Sequence, residues 1–321
     1  MNDLTELQAF GRDLDQVNSG PSPELRHRVL REFAEPPGRA RQRTPRFRIG
    51  WRVAITGGLP AVLAAALLIG PARSWWGGPP AVPAQAAQIL ELAAGAARHQ
   101  PTLTVRPSQF VFIRQLEAYA AISVGPSGRN NVTPHTAQSE LWLSASGARK
   151  GLERTQPRSS PLPGHPTGPW QTSTLGVDRR DPAYLPGLPT STEAMLRYLY
   201  RNSEGQNPPD QQAFISAGDL IRERYLRPAA LAAVFEAVAR IPGVVIVHGA
   251  VTVDGTRGIA VQRIFGGNSY QLIFDPRTYA FIGERQVVVR GLPGIKVGTV
   301  MDFTAVLRVA IVDHAGQQPG S

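Results

Sequence analysis

Asp219 and Glu223 stand four residues apart in "SAGDLIRERYL", the spacing that sets two carboxylates on one helix face, where one could give a proton and the other take it. Asp219 also stands at ion-pair spacing from Arg222, and Glu223 from Arg227 just beyond the stretch, so ion pairing at a helix surface explains the acids more simply than catalysis does. The histidines, His27, His99, His135, His165, His248 and His314, are scattered, and none has a histidine or carboxylate partner at metal-ligand spacing on a recognisable helix. His248 alternates with valines that read as buried, which places it on the opposite face of a strand. Neither lysine, Lys150 or Lys296, follows a glycine-rich phosphate loop. "GPSGR" and "GNSYQ" fail to complete a Gly-x-Ser-x-Gly nucleophile turn. With no cysteine in the chain, disulfides, thiolate nucleophiles and cysteine-bound zinc are excluded. The expectation is a protein that is not an enzyme and uses no cofactor or metal; a cluster of perturbed carboxylates in a cleft would reopen that reading.

The element with the largest consequence for any site is the uncharged run from Val53 to Ala72. Twenty helical residues reach about 30 Å, one hydrocarbon thickness. Pro60 costs a soluble helix about 3 kcal/mol but is tolerated in a transmembrane one. Arg39, Arg41, Arg43, Arg46, Arg48 and Arg52 precede the run with no acid among residues 36–52, and only Arg73 follows closely. Trp51 marks one boundary, and Trp75 and Trp76 the other. Positive charge stays cytoplasmic and tryptophan settles at interfaces, so the pattern predicts a single-pass cell-membrane protein, N-terminus inside and C-terminal domain outside. Two alternatives are a cleaved signal ending near "PAQA" (Pro83–Ala86), for which a fifty-residue leader is too long, and a buried helix.

Around this span the chain divides into a tail (1–52), the transmembrane helix (53–72), a Pro-rich spacer with an Ala-rich helix over 84–98 (73–100), and an external domain (101–321). The tail predicts two short amphipathic helices. The first carries Leu4, Leu7, Leu14 and Val17; the second is capped by Ser22 and lines up Leu25, Val29 and Phe33 on one face. Such short helices bury no core of their own, so the Leu25–Val29–Phe33 stripe is a candidate partner-binding surface, for a protein or for the inner leaflet.

The external domain reads as α+β. "QFVFIRQLEAYAAISV" and "AQSELWLSASGARKGLE" predict long antiparallel strands joined by "GPSGRNNVTPH", and residues 155–190 a long loop. A capping box at Thr190–Glu193 opens one helix, a short helix covers Ala217 to Leu226, and Pro228 starts another with Leu231, Val234, Phe235 and Val238 on one stripe. Four apolar runs, 244–253, 258–265, 270–274 and 279–290, are separated by "DGTRG", "GGN" and "DPRT" and predict an antiparallel meander covered on one face. Val245, Val247, Val251 and Val253 would share one side of its first strand, and Phe281, Val287 and Val289 one side of its last.

The formal charge of +10 invites a polyanionic partner, yet only two of 34 basic residues are lysine, and arginine, alanine, glycine and proline all have GC-rich codons. Aromatics do not interleave with arginine as on nucleic-acid platforms, so no nucleic acid is expected. The 24 basic against 17 acidic residues after position 72 would suit an anionic lipid headgroup or wall polymer outside the cell.

"SPELRHRVLREF", the arginine cluster, the single span and the external "LPTSTEAMLRYL", "IRERYLRPAALAAVFEAVARIPGV" and "FDPRTYAFIGERQVVV" resemble a group of uncharacterised actinobacterial membrane proteins, many encoded beside extracytoplasmic-function sigma factors. The resemblance covers most of the chain and implies an anti-sigma-like regulator with a sigma factor or other cytoplasmic protein on residues 1–35. It departs from zinc anti-sigma factors, whose His-x₃-Cys-x₂-Cys motif needs cysteines that this chain lacks. For the external domain it implies, by analogy, a curved antiparallel sheet wrapped on helices as in lipoprotein carriers. The alternative function is an external lipid- or wall-binding module whose tail only sets topology.

Overall fold

Alanine at the right interval lets a helix lie close against its neighbours, and the first helix of the domain shows this. In the computed structural model, which describes residues 83–124, 130–158, 167–201, 207–291 and 294–320, α1 (Ala84–Arg98) buries Ala86, Leu90, Ala93, Ala94 and Ala97, one stripe at helical spacing. The tail, the arginine cluster and the expected span lie outside the described residues. Among the described residues no helix is long and apolar enough to cross a membrane.

The remaining elements follow as β1 (Phe110–Val124), β2 (Asn130–Ser144), β3 (Gly151–Arg158), β4 (Gln171–Leu175), α2 (Thr192–Arg201), α3 (Pro209–Glu223), α4 (Pro228–Val238), β5 (Val245–Val251), β6 (Arg257–Phe265), β7 (Asn268–Phe274), β8 (Phe281–Val288) and β9 (Val300–Val312). The fold is α+β: one nine-stranded sheet in the order β4-β3-β2-β1-β9-β8-β7-β6-β5, antiparallel throughout, with four helices among the described residues.

α3 and α4 each open on a proline, whose missing N–H costs nothing in the first turn. α4 is buried on nearly every side, through Ala230, Ala232, Ala233, Val234, Phe235, Ala237 and Val238. Phe235 meets Phe274 of β7 edge-on with centroids 5.2 Å apart, and Phe274 meets Phe281 of β8 at 6.1 Å. Leu199, Phe214, Val261 and Leu272 complete this core between the helices and the β5–β8 half of the sheet.

Several sequence expectations change. The Ala-rich helix and the proline-initiated helix form where the pattern put them. α3, however, begins at Pro209, eight residues before the expected short helix, because its first turns bury Gln211, Ala213 and Phe214, a mixed face with a weak periodic signal. The second expected strand is two, β2 and β3, broken at Gly147 (φ +67°). Within the expected long loop, β3 continues to Arg158 and β4 adds an edge strand.

On β5 the register shifts between Val247 and Ala250 at Gly249 (φ +72°). One extra residue reverses the faces beyond it. Val247 therefore shares a side with Ala250 rather than Val251, and the residue facing the helical core is Ile246, opposite Val261. A shift at Ile273/Phe274, where Ile282 is the extra residue, similarly divides the last run: Phe281 joins the helix-side core and parts from Val287, Val288 packs with Ala120, Ile295 and Met301, and Val289 is exposed.

β9 joins the two halves of the sheet. Its outer neighbours are β1 and β8, which are separated in the chain by six strands, β2 to β7, and three of the helices. On the face away from the helices, Phe110, Phe112, Trp142 and Val312 form a second core. The C-terminal segment closes that face: Trp142 Nε1 donates to the Gln317 carbonyl (2.7 Å), and Gln318 Nε2 to Glu140 (3.0 Å). Glu140, nearly fully buried, also pairs with Arg114 (2.9 Å) and Arg154 (3.4 Å).

Candidate functional site

Strand pairing lines up residues that are distant in sequence. His135, Tyr119, Asp302, Gln286, Tyr270 and Arg263 stand side by side on β2, β1, β9, β8, β7 and β6, one continuous polar row. The next row on the same face runs Ala137, Glu117, Thr304, Glu284, Leu272 and Val261. This is the helix-facing side, since Leu272 and Val261 belong to the helical core.

α3 lies over these rows and is bonded to them near both ends. Near its N-terminus Arg263 Nη1 donates to Gln211 Oε1 (2.7 Å), and Arg263 Nη2 lies 3.6 Å from Asp210, whose other oxygen accepts from the Tyr200 hydroxyl (2.7 Å). Near its C-terminus Arg222 reaches Glu284 (3.0 Å) while holding Asp219 (3.2 Å) and Glu223 (2.8 Å). Between the two, Gly218 lets the helix approach: a Cβ there would lie 3.1 Å from Glu284 Oε2 and 3.4 Å from Leu272.

The Arg222 side chain is only 12% exposed, so the pairs the sequence reading placed on a helix surface sit at a helix–sheet junction. Asp219 pairs with Arg222 as expected; Glu223 goes to Arg222 as well, while the Arg227 guanidinium donates to the Pro186 carbonyl. Glu117 accepts from Ser139 (2.5 Å) and from Gln115.

Four carboxylates, Asp219, Glu223, Glu284 and Asp302, thus gather around one guanidinium, and burial governs the protons of Asp302 and Glu223. Burial pushes the Asp302 carboxyl up to about 7; Glu284 and Glu117 add to the rise, and Arg222 and a hydrogen bond from Thr304 oppose it. Burial pushes Glu223 up to about 8 against the pull of Arg222. Burial would lower Arg222, but Glu284, Glu223, Asp219 and Asp302 hold it above its ordinary value. Among the described residues no group of three acids or histidines is placed to hold a metal ion.

The helices cover the row over β6–β8. Over β1 and β2 it surfaces, with Tyr119 half-buried, His135 exposed and their rings stacked at 5.2 Å. The arrangement offers carboxylates, amides and an aromatic pair to an incoming polar or cationic group.

Leu25, Val29 and Phe33, the arginines from Arg39 to Arg52, Trp75 and Trp76 lie outside the described residues. The side chain of His248 does too. Sequence reasoning singled out Asp219 and Glu223 but missed Arg222 as their common partner, and Glu117, Glu284, Asp302 and Arg263 altogether. The signal was present in "FIRQLEAYA", "FIGERQVVV" and "VMDFTAV": single charges on the inward phase of otherwise apolar strands.

No protein-family model matches the chain, and no curated protein matches it. Among solved structures it is similar to a chain of the complex of Pseudomonas aeruginosa MucA/MucB, at 10% identity over 74% of this chain and 59% of that one, TM-score 0.25. It is also similar to the crystal structure of MucB, at 13% identity over 74% and 61%, TM-score 0.26. This chain spans about three fifths of the length of each. Both likenesses concern the arrangement of strands and helices, and no site residue is transferred from them.

Proposed function

We propose that the chain is a membrane-anchored regulatory protein. In this reading residues 1–35 hold a cytoplasmic protein of the sigma-factor kind, Val53 to Ala72 cross the membrane, and the α+β domain is a non-catalytic binding module outside the cell. The observation that carries it is the polar row that surfaces beside α3. A charged helix–sheet junction opens onto a strand surface bearing Tyr119 and His135, so an occupant there would bear on the Arg222 contacts that hold α3. The carboxylate cluster that would reopen an enzyme reading is organised around an arginine bonded to three of its members, which supports reading it as a joint.

The alternative, an external lipid- or wall-binding module with a topogenic tail, would be favoured by a lined apolar cavity between sheet and helices. Over β5–β8 that space is filled by Phe214, Phe235, Phe274, Leu199 and Leu272, and over β8, β9 and β1 it is lined by charge.

The test uses the full chain in membranes, as wild type and as Leu25→Glu with Val29→Glu. The wild type retains a specific cytoplasmic protein; the double variant loses it and stays in the membrane through its span. A wild-type tail that holds no cytoplasmic protein but binds anionic vesicles overturns the regulatory reading in favour of the alternative.

A further inference from the structure

Several arginines of the domain are matched by acids. Arg98 pairs with Glu236, Arg106 with Asp313, Arg114 and Arg154 with Glu140, Arg224 with Asp181, and Arg240 with Glu193. Two turns at one end of the sheet depart from this pattern. The β2–β3 turn carries Arg149 and Lys150, and the segment after β4, "GVDRR", carries Arg179 and Arg180; all four are exposed.

The turns are packed against each other. A Cβ on Gly147 would lie 2.0 Å from the Asp178 carbonyl oxygen and 3.0 Å from the Arg179 Cα. Beside them, Ala183 N donates to the Ser144 carbonyl and Tyr184 N to the Ala145 carbonyl, both at 3.1 Å, fixing the second segment along the first. The one carboxylate among these residues, Asp178, is turned to its own backbone and accepts from Arg180 N at 2.9 Å. Arg149 is held in place, its guanidinium 4.9 Å from the Phe110 ring centre and donating to the Ser108 carbonyl at 2.5 Å. A side chain fixed before binding loses less entropy when it binds. Val177, two residues before Arg179 in the chain, is 52% exposed.

We propose that these apposed turns, with Arg149, Lys150, Arg179, Arg180 and Val177, seat the domain on an anionic phospholipid surface. Two apposed exposed turns with four cations and one exposed aliphatic side chain suit a phosphate-bearing layer, with Val177 entering the headgroup boundary and the cations meeting phosphates. A codon bias toward arginine would scatter cations; it gives no reason for the fold to bring two unmatched pairs together. The inference concerns this surface alone and does not depend on what the tail or the polar row binds.

The chain has no cysteine, so Val177→Cys gives the full-length protein a single site for an environment-sensitive fluorophore. The labelled protein is reconstituted in phosphatidylcholine nanodiscs with and without phosphatidylglycerol. Emission should shift to the blue only with phosphatidylglycerol, and the shift should disappear in high salt. Each basic residue near an anionic surface strengthens association about fivefold, so Arg179→Gln with Arg180→Gln should weaken docking about 25-fold, whereas Arg179→Lys with Arg180→Lys should preserve it. Identical emission in the two lipids, or a shift untouched by the glutamine pair, overturns the proposal. A shift produced by soluble polyphosphate but not by phosphatidylglycerol discs also overturns it and assigns the turns to a wall polymer. Incorporation into neutral discs reports on the anchor separately, so failure of the patch and failure of the membrane-protein reading are distinguishable.

Discussion

Arg222 is the residue on which the helix–sheet joint depends. Removing one partner from a buried ionic cluster leaves the others charged without compensation, a cost of about 3–5 kcal/mol. Arg222→Met should lower stability by that order in urea unfolding at pH 7, and adding Glu284→Leu should recover a measurable part of it. Asp302 gives the joint its pH dependence. Its carboxyl is raised to about 7 in the folded protein, while an unfolded aspartate titrates near 3.9. Between those values the folded state binds more protons than the unfolded one, so stability is greatest at the acid end and falls as pH rises through about 4 to 8. The expected loss is on the order of 1–3 kcal/mol, and Asp302→Asn should flatten the slope and stabilise the domain at pH 8. A melting temperature that rises with pH across this window would contradict the assignment.

At the scale of elements, the joint depends on how closely its strands and helices approach. β8 passes β9 at Gly283, where a Cβ would lie 2.1 Å from the Thr304 carbonyl oxygen, next to Glu284. Gly283→Ala should therefore push the two strands apart and cost about 1–3 kcal/mol, of the size seen for overpacked cores. In the helical layer Phe235 fills the space against Phe274. Phe235→Ala should cost about 3–5 kcal/mol, and Phe235→Asp should abolish folding of the domain by adding a buried unpaired charge. Val247→Asp should be milder than the meander pattern alone implies, since the β5 bulge turns Val247 away from the helical core. Circular dichroism melts of the three variants should rank them Phe235→Asp, Phe235→Ala, Val247→Asp, from most to least damaging.

For the whole molecule, the membrane reading makes a topological prediction. A phosphatase fused after Ser321 should be active and one fused at Phe47 inactive, because the arginines from Arg39 to Arg52 keep their side cytoplasmic. The reverse pattern of activity would refute it.

Local order along the chain was legible from residue pattern. α1 follows from its alanine stripe, α4 from Pro228 and its apolar spacing, and β5–β8 from β-branched runs punctuated by glycine and aspartate turns, because each depends on neighbours within about ten residues. Legible too, though unread, was the inward charge on β1, β8 and β9. What sequence could not supply was pairing at long range. β9 enters between β1 and β8, and only that insertion makes one sheet from two meanders and sets Glu117 and Glu284 on either side of Thr304. Strand order is decided by which apolar faces can be covered together, a property of the assembled sheet. The bulge at Gly249 is of the same kind: its single extra residue reverses a face without altering the local alternation from which faces are read. Asp302 and Glu223 acquire their raised proton affinities for that reason as well, since the burial responsible for them exists only once α3 lies on the assembled sheet.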